Sequence, residues 1–183
     1  MRISAIVPVL NEAEVIDVAL GALAMLRRRG HEVIVVDGGS TDSTAVLAVG
    51  RADRVISAPR GRASQMNAGA AVASGDVLLF VHADTRLPDD ADRAIARGLS
   101  RDGRAWGRFD VTIDSRRPLL GLVACAMNAR SRLSGIATGD QAIFARRAEF
   151  DAVGGFPPVA LMEDVALCRL LKRRSPPICL RER

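Results

Sequence analysis

Residues 77–85 of the chain read VLLFVHADT, a stretch in which five apolar residues are followed directly by a polar cluster. A strand without polar residues is buried on both faces, as in a parallel sheet that helices cover on either side. The cluster His82-Ala83-Asp84-Thr85 stands at the carboxyl end of this predicted strand. The stretch therefore predicts an α/β fold in which functional side chains follow a buried strand.

Upstream of this stretch, short apolar runs alternate with segments of helical periodicity. Further strands are predicted at residues 3–10, 32–36 and 54–57. Helices are predicted between them, and Asn11 with Glu14 forms a capping-box pattern at the start of the first helix. Such alternation indicates a mostly parallel central sheet with helices on both faces.

The pattern changes after Asp84. Predicted elements are a helix at 89–99, a half-buried strand at 105–114, a helix at 119–133, a strand at 142–145 and a helix that opens at 162–164. A length of 183 residues suits one domain. We expect this domain to consist of two halves, residues 1–85 and 86–183.

Polar residues follow three of the predicted strands, namely Asn11-Glu12, Asp37-Gly38 and His82-Ala83-Asp84. In a parallel α/β sheet, ligands bind beyond the carboxyl ends of the strands, where the strand order reverses. Each feature alone also has an ordinary structural interpretation, as a helix cap or a turn. Their coincidence at three strand ends favours a binding site.

The residue types at these ends favour a nucleoside diphosphate. The chain has neither a Walker A loop nor a G-x-G-x-x-G after its first strand, which argues against a dinucleotide oxidoreductase. A carboxylate after the second strand, Asp37, can hold a ribose hydroxyl or a base N–H. Asp84 can hold a divalent cation, and Arg62 can bind a phosphate.

Several motifs together resemble those of family 2 glycosyltransferases with the GT-A fold. They are IVPVLNE (6–12), VVDGGSTD (35–42), Gly61-Arg62 with Gln65 and Asn67, Gly75-Asp76, FVHADT (80–85), Gly154-Gly155-Phe156 and Glu163-Asp164. HADT (82–85) with GDQ (139–141) resembles more closely a bacterial subgroup associated with radical-SAM and selenium-domain proteins.

The resemblance implies an EC 2.4 enzyme that moves a sugar, with inversion, from a nucleoside-diphosphate sugar to an acceptor hydroxyl. It assigns the donor site to Pro8, Asn11, Glu12, Asp37, Gly38, Arg62, Asn67 and Ala83. It assigns Mg²⁺ or Mn²⁺ to Asp84, the catalytic base to Asp164 and a supporting role to Glu163. It makes residues 1–85 the nucleotide-binding half and residues 86–183 the half that binds the acceptor and carries the base. It places Gly139, Asp140 and Gln141 on the acceptor side.

Two features depart from the family's pattern. His82 stands where the first carboxylate of an Asp-x-Asp metal motif is usual, so it is a second metal ligand, a phosphate donor or a packed strand-end residue. Similar proteins also continue with further helices after the predicted base helix. The resemblance therefore predicts that the chain is truncated after Arg183.

Two alternatives compete with a transferase. One is a catalytically idle module that binds nucleotide sugars, which the missing Asp-x-Asp favours. The other is a sugar-phosphate nucleotidyltransferase, against which the absence of a Gly-rich basic loop after the first strand argues. The identity of the sugar, the acceptor and the oligomeric state is not predicted.

Composition and charge indicate which partners and which cellular compartment to expect. The net charge is +5, but aromatic residues are only 3%, so we expect no nucleic-acid partner. Three widely spaced cysteines and the lack of a signal-peptide pattern predict a cytoplasmic protein. The uncharged stretch 118–129 is too short to span a bilayer. It predicts either a buried helix or a helix in peripheral contact with the inner face of the membrane.

Overall fold

The structure is a computed structural model that describes residues 1–100, 103–113, 117–159 and 161–182. Within these residues the strands are β1 (Ile3–Val9), β2 (Glu32–Asp37), β3 (Arg54–Ser57), β4 (Val77–Phe80), β5 (Trp106–Phe109), β6 (Phe144–Arg146) and β7 (Ile178–Leu180). The helices are α1 (Ile16–Arg28), α2 (Thr44–Ala48), α3 (Arg62–Val72), α4 (Ala91–Leu99), α5 (Pro118–Ser134), α6 (Arg147–Ala152) and α7 (Glu163–Lys172), with a 3₁₀ turn at Gly139–Gln141.

The described strands form one sheet in the order β3-β2-β1-β4-β6-β5-β7. β3, β2, β1 and β4 run parallel, whereas β6 is antiparallel to both of its neighbours. The strand order reverses between β1 and β4, which places a topological switch point beside the end of β4. The predicted α/β class with a mostly parallel sheet is confirmed.

Helices cover both faces of the sheet, as predicted. One core joins α1, α2 and α4 to alternate residues of β1, such as Val7, whereas the other joins α3, α6 and α7 to Ile6. Side chains alternate between the two faces of a strand, so a strand packed on both sides must be apolar at every position. This explains why β4 is apolar and buried throughout.

Two local predictions were wrong. Asn11 does not cap α1, which begins at Ile16, because the Asn11 backbone is left-handed (φ 56°) and its Oδ1 accepts the Thr41 N–H at 2.8 Å. The strand predicted as half-buried is buried at every position of β5. Arg108, expected to face solvent, is 1% exposed because Asp110 pairs with its guanidinium. Asp114, the predicted end of that strand, lies outside the described residues.

Candidate active site

A first cleft of 340 Å³ opens at the carboxyl ends of β1 and β4 and at the amino end of α3. It is lined by Pro8, Val9, Leu10, Glu12, Arg60, Gly61, Arg62, Gln65, His82, Ala83 and Asp84. The predicted donor residues Pro8, Glu12, Arg62 and Ala83 are thus brought together, and the predicted metal ligand Asp84 lies with them.

Hydrogen bonds join the loops that follow β1 and β2 beside this cleft. The Ser40 Oγ accepts the Asn11 N–H at 2.9 Å, and the Thr44 Oγ1 accepts the Glu12 N–H at 2.8 Å. These backbone N–H groups belong to loops with no strand partner, so side-chain acceptors satisfy them. The loops hold each other in place, and the wall of the cleft is therefore preorganised.

Asp37 and Gly38 lie behind this wall and do not line the cleft. The Asp37 carboxylate, 7% exposed, accepts the Gly39 and Ser40 N–H groups, which closes the turn after β2. A Cβ on Gly38 would come within 3.0 Å of the Gln65 amide, so a glycine is needed for close packing there. Direct contact of Asp37, Gly38 or Asn11 with a nucleotide stays a prediction.

Gln65 is a site residue that the resemblance contained but to which no role was assigned. It is buried, and its Nε2 donates to the carbonyls of Val9 and Val36, both at 2.8 Å. The side chain thereby fixes the spacing of the β1 and β2 ends. A polar residue on the inner face of a small-residue helix was the only signal in the sequence.

Asn67 does not line the first cleft, and its place in the donor site stays a prediction. Its Nδ2 donates to the Phe156 carbonyl at 2.8 Å, and its Oδ1 accepts the Phe156 N–H at 2.9 Å. With both ends of the amide satisfied, Asn67 holds the Gly154–Phe156 turn. The Phe156 ring packs edge-on against Phe80, with 4.8 Å between ring centroids.

Arg60, Arg62 and Asp84 are exposed charged residues that line the first cleft. Arg62 is exposed and begins α3, where free backbone N–H groups favour an anion. Gly61, at φ 137°, adopts a backbone conformation that side chains disfavour and directs the chain into α3. Asp84 is exposed, and the contact to its carboxylate is a 3.4 Å hydrogen bond from the neighbouring Thr85 hydroxyl.

Asp164 and Glu163 lie in the first turn of α7 but are 8% and 6% exposed. Met162, at φ 66°, turns the chain so that α7 starts with these carboxylates directed inward. The Gly139 N–H donates to the Asp164 carboxylate. The predicted base and the predicted acceptor-side turn are thus brought into contact, although they lie 25 residues apart in the sequence.

The pKa of Asp164 is raised to about 6, first by burial and then by the neighbouring charge of Glu163. The positive charges of His82 and Arg62 and the bond from Gly139 oppose this rise. A helix N-terminus favours the ionised form of a carboxyl group, but burial outweighs that effect here. A carboxylate with a pKa near 6 is a stronger base than an ordinary aspartate and is still ionised at neutral pH.

His82 is packed between the base and the acceptor-side turn. Its Nδ1 lies 3.7 Å from the Asp140 Oδ1, and its Nε2 is enclosed with no hydrogen-bond partner among the described residues. A Cβ on Gly139 would approach the His82 Cε1 to 2.0 Å, so the ring lies directly on that turn. His82 lines the first cleft, so its role as a second metal ligand, a phosphate donor or a packed strand-end residue stays a prediction.

A second cleft of 510 Å³ adjoins the first and shares Asp84 with it. It is lined by Asp84, Thr85, Arg86, Leu87, Pro88, Phe109, Asp110, Val111, Thr112, Ile113, Met127, Asp140 and Ala142. Asp140 is exposed here, and the hydrogen bond and charge of His82, together with the charge of Arg62, lower its pKa. The sequence did not predict that residues 109–113 and 127 line a cleft, because this cleft forms only when α5 packs against β5.

Gln141 is buried and does not line the second cleft, and its place on the acceptor side stays a prediction. It is 0% exposed, and its Nε2 donates to the Asn128 Oδ1 at 3.2 Å. Asn128 in turn exchanges two 2.9 Å hydrogen bonds with the Val111 backbone. Gln141 therefore ties the 3₁₀ turn to α5 and β5, and of the three predicted residues only Asp140 lines the second cleft.

Helix α5 is neither wholly buried nor bilayer-spanning. Leu119 and Leu122 are 68% and 66% exposed, whereas Ala124 and Asn128 are buried. In the described part of the chain, no helix combines the length and apolar character needed to cross a bilayer. Contact with the inner face of a membrane stays a prediction.

Comparison with known proteins agrees with this architecture. The sequence matches the profile of Glycosyl transferase family 2 over residues 4–148. An uncharacterised glycosyltransferase of Mycobacterium tuberculosis is 30% identical over 122 residues, which cover 66% of this chain and 51% of that protein. The chain thus spans about half the length of the curated relatives that it matches. The radical-SAM-associated subgroup stays a prediction.

Solved structures share the fold. TarS 1-349 of S. aureus in complex with UDP-GlcNAc superposes with a TM-score of 0.80 at 20% identity, covering 100% of this chain and 57% of that one. The mannosyltransferase PcManGT of Pyrobaculum calidifontis, in complex with GDP-Man and Mn²⁺, gives a TM-score of 0.74 at 21% identity and covers 98% and 54%. The GT-A fold is thereby shown, and the profile match over residues 4–148 establishes that the chain belongs to glycosyl transferase family 2.

Proposed function

We propose that this chain transfers a sugar from a nucleoside-diphosphate sugar to an acceptor hydroxyl. The observation that carries the proposal is the meeting of two clefts at one exposed carboxylate, Asp84. A buried carboxylate, Asp164, lies at Gly139, against which the ring of the cleft residue His82 also packs. The first cleft receives the nucleotide and the second receives the acceptor. The reacting sugar is then held where the two clefts join.

The first cleft suits a nucleoside diphosphate. Arg62 and the free N–H groups of α3 offer charge-assisted hydrogen bonds to phosphate oxygens. Pro8 and Ala83 provide apolar surface, and Glu12 provides an acceptor for hydroxyl or N–H groups. The UDP-GlcNAc and GDP-Man complexes of the two structural neighbours support a diphosphate nucleotide here.

Asp84 fits a divalent cation. Its carboxylate is exposed to both clefts, and within the described residues no cluster of three or more His, Cys, Asp or Glu side chains could hold a metal alone. Mg²⁺ and its analogues are commonly held by one or two carboxylates together with substrate phosphates, which this single carboxylate permits. Bound Mg²⁺ or Mn²⁺ would neutralise the charge that develops on the departing diphosphate.

Asp164 takes the proton of the acceptor hydroxyl. The hydroxyl oxygen forms a bond to the anomeric carbon while the bond from that carbon to the diphosphate breaks, which inverts the configuration. Gly139 orients the accepting carboxylate, and Glu163 raises its basicity by repulsion. Arg62 stabilises the leaving phosphate by its charge. Asp140, with its lowered pKa, is the weaker base and orients the acceptor at the wall of the second cleft.

The second candidate function is a catalytically idle nucleotide-sugar-binding module. Its support is that Asp164 is 8% exposed and lines neither cleft. The two functions differ in turnover and agree in binding. They are therefore separated by a reaction that needs no acceptor other than water.

The test is release of nucleoside diphosphate from UDP-glucose, UDP-N-acetylglucosamine and GDP-mannose in the presence of Mn²⁺ or Mg²⁺. A transferase hydrolyses its donor slowly, so release above the buffer rate is expected from at least one of these donors. Binding of a donor without release would instead identify the idle module. Release of pyrophosphate from a nucleoside triphosphate and a sugar phosphate would identify a nucleotidyltransferase.

A further inference from the structure

The second cleft has an apolar wall that a purely polar sugar acceptor does not need. Its apolar lining side chains come from the loop after β4, from the segment after β5 and from α5. They are Leu87, Pro88, Phe109, Val111, Ile113 and Met127. The polar lining residues are Asp84, Thr85, Arg86, Asp110, Thr112 and Asp140. Asp84 also lines the first cleft, and Asp140 lies beside His82.

The charges beneath this wall are already neutralised. The Asp110 carboxylate is 6% exposed and pairs with both Arg108 and Arg132. Asn128 satisfies the Val111 backbone on both its N–H and its carbonyl. The Asp110 carboxylate therefore already has two cationic partners and does not need a ligand hydroxyl.

The apolar wall continues along α5. Leu119, Val123 and Met127 are spaced four residues apart, so their side chains form one stripe along the helix. Met127 lines the cleft, whereas Val123 and Leu119 are 41% and 68% exposed. The stripe extends about 12 Å from the cleft toward the start of α5. No charged residue interrupts positions 118–129.

We propose that the acceptor is an amphiphile, an alcohol or sugar joined to an alkyl or aryl group. Its hydroxyl lies between Asp140 and the base, and its apolar group lies on the wall formed by Val111, Ile113 and Met127 and on the stripe of α5. The continuity of the stripe with the cleft identifies one ligand for both surfaces. This inference rests on the proposed function, because it assigns the second cleft to the acceptor.

The test compares methyl β-D-glucoside with octyl β-D-glucoside, two alcohols that differ only in their alkyl group. Binding to the full chain is measured by titration calorimetry or ligand-detected NMR, with the octyl compound below its micelle concentration. We expect the octyl glucoside to bind at least about tenfold more tightly, which corresponds to burial of roughly two methylene groups. Equal affinities would overturn the proposal.

Two variants test whether the preference for octyl glucoside depends on the stripe of α5, and a third variant is a matched control. Met127→Gln and Val123→Gln should each reduce the octyl preference, Met127→Gln by the larger factor. Val123 is partly exposed, so its substitution does not endanger the fold. Leu133→Gln lies on the same helix but outside the stripe, is 91% exposed and should change nothing.

Two outcomes would overturn the proposal: the octyl preference survives both Met127→Gln and Val123→Gln, or Leu133→Gln removes it. Either outcome would place apolar binding on the general surface of α5, as for contact with a lipid bilayer. Nucleotide binding is titrated on the same samples with UDP and GDP in Mn²⁺. Loss of nucleotide binding would refute the proposed function itself. Intact nucleotide binding with equal glucoside affinities would refute only the amphiphilic acceptor.

Discussion

The two sides of this site are built in opposite ways. The first cleft is formed by loops that follow neighbouring parallel strands, and its charged residues Arg60, Arg62 and Asp84 are exposed. The base centre is formed by three buried residues that are distant in sequence, His82, Gly139 and Asp164. Burial gives the base its raised pKa, whereas exposure leaves the binding groups free for a charged ligand.

Substitutions in these two regions should differ in the size of their effects. A group in an exposed cleft contributes its own contact and little else. A group in the enclosed centre also sets the position and the pKa of its neighbours. We therefore expect changes in the base centre to alter catalysis strongly and changes in the strand-end loops to alter binding or stability more modestly.

Replacing the base should give the largest effect. Asp164→Asn removes the proton acceptor with little change of shape, so transfer or donor hydrolysis should fall by about 100-fold or more. Nucleotide binding should be unchanged. Because an ionised carboxylate is no longer buried, the melting temperature at pH 7 should rise. Asp140→Asn is the matched control, and a larger loss of turnover in that variant would move the base to Asp140.

Crowding the centre should have the next largest effect. A Cβ at Gly139 would lie 2.0 Å from the His82 Cε1 and 2.9 Å from the Asp164 Oδ2. Gly139→Ala should therefore displace both side chains, lower turnover by roughly tenfold and destabilise the fold by about 1–3 kcal/mol, the usual cost of overpacking. Gly121→Ala in α5 is the control, since nothing lies within 4 Å of its Cβ. Wild-type turnover in Gly139→Ala would contradict the tight centre.

The pH dependence of turnover should report the raised pKa of Asp164. The base acts when ionised, so kcat/KM should be flat above about pH 6 and fall by about tenfold per unit below it. The free energy of unfolding should change with pH in the opposite direction to kcat/KM. The folded pKa lies above the ordinary value of 3.8, so this group makes folding more favourable as the pH falls from about 6 toward 3.8. A profile still flat at pH 5, under conditions where nucleotide binding persists, would exclude Asp164 as the base.

The smallest effect is expected at Asn67. Asn67→Ala removes two hydrogen bonds to Phe156 and leaves those backbone groups unpaired, which should cost about 1–3 kcal/mol of unfolding free energy. Thermal unfolding measures this loss. Nucleotide affinity should stay within about twofold of wild type, and a tenfold loss of affinity in a folded variant would place Asn67 in the donor site.

The strand framework was predictable because it depends on local pattern. β3 has the predicted bounds, and the apolar β4 and the polar strand ends follow from burial on both faces of the sheet. The errors occur where distant residues override local preference. Asn11 bonds to Thr41 and does not cap a helix. Arg108 is buried because Asp110 lies two residues on and Arg132 completes the cluster.

The residues of the candidate site were also predictable where local sequence pattern determines their position. Residues at strand ends were found, as were the carboxylates of α7, because the resemblance supplied an ordered set of motifs. Asn67 and Gln141 carry the same residue types as ligand-binding residues, and the sequence did not predict their hydrogen-bond partners Phe156 and Asn128. The α6 helix and β7 were missed because each is short and takes its stability from tertiary contacts.

The most direct test of the account is titration of UDP, GDP and dTDP into the wild-type chain and the Asp84→Asn variant, each with Mn²⁺ and with EDTA. We expect the wild type to bind one nucleotide at least tenfold more tightly with Mn²⁺ than with EDTA. We expect Asp84→Asn to remove this difference. Affinity that is the same with and without metal in both proteins would contradict the role of Asp84. Absence of binding by every nucleotide would contradict the assignment of the first cleft.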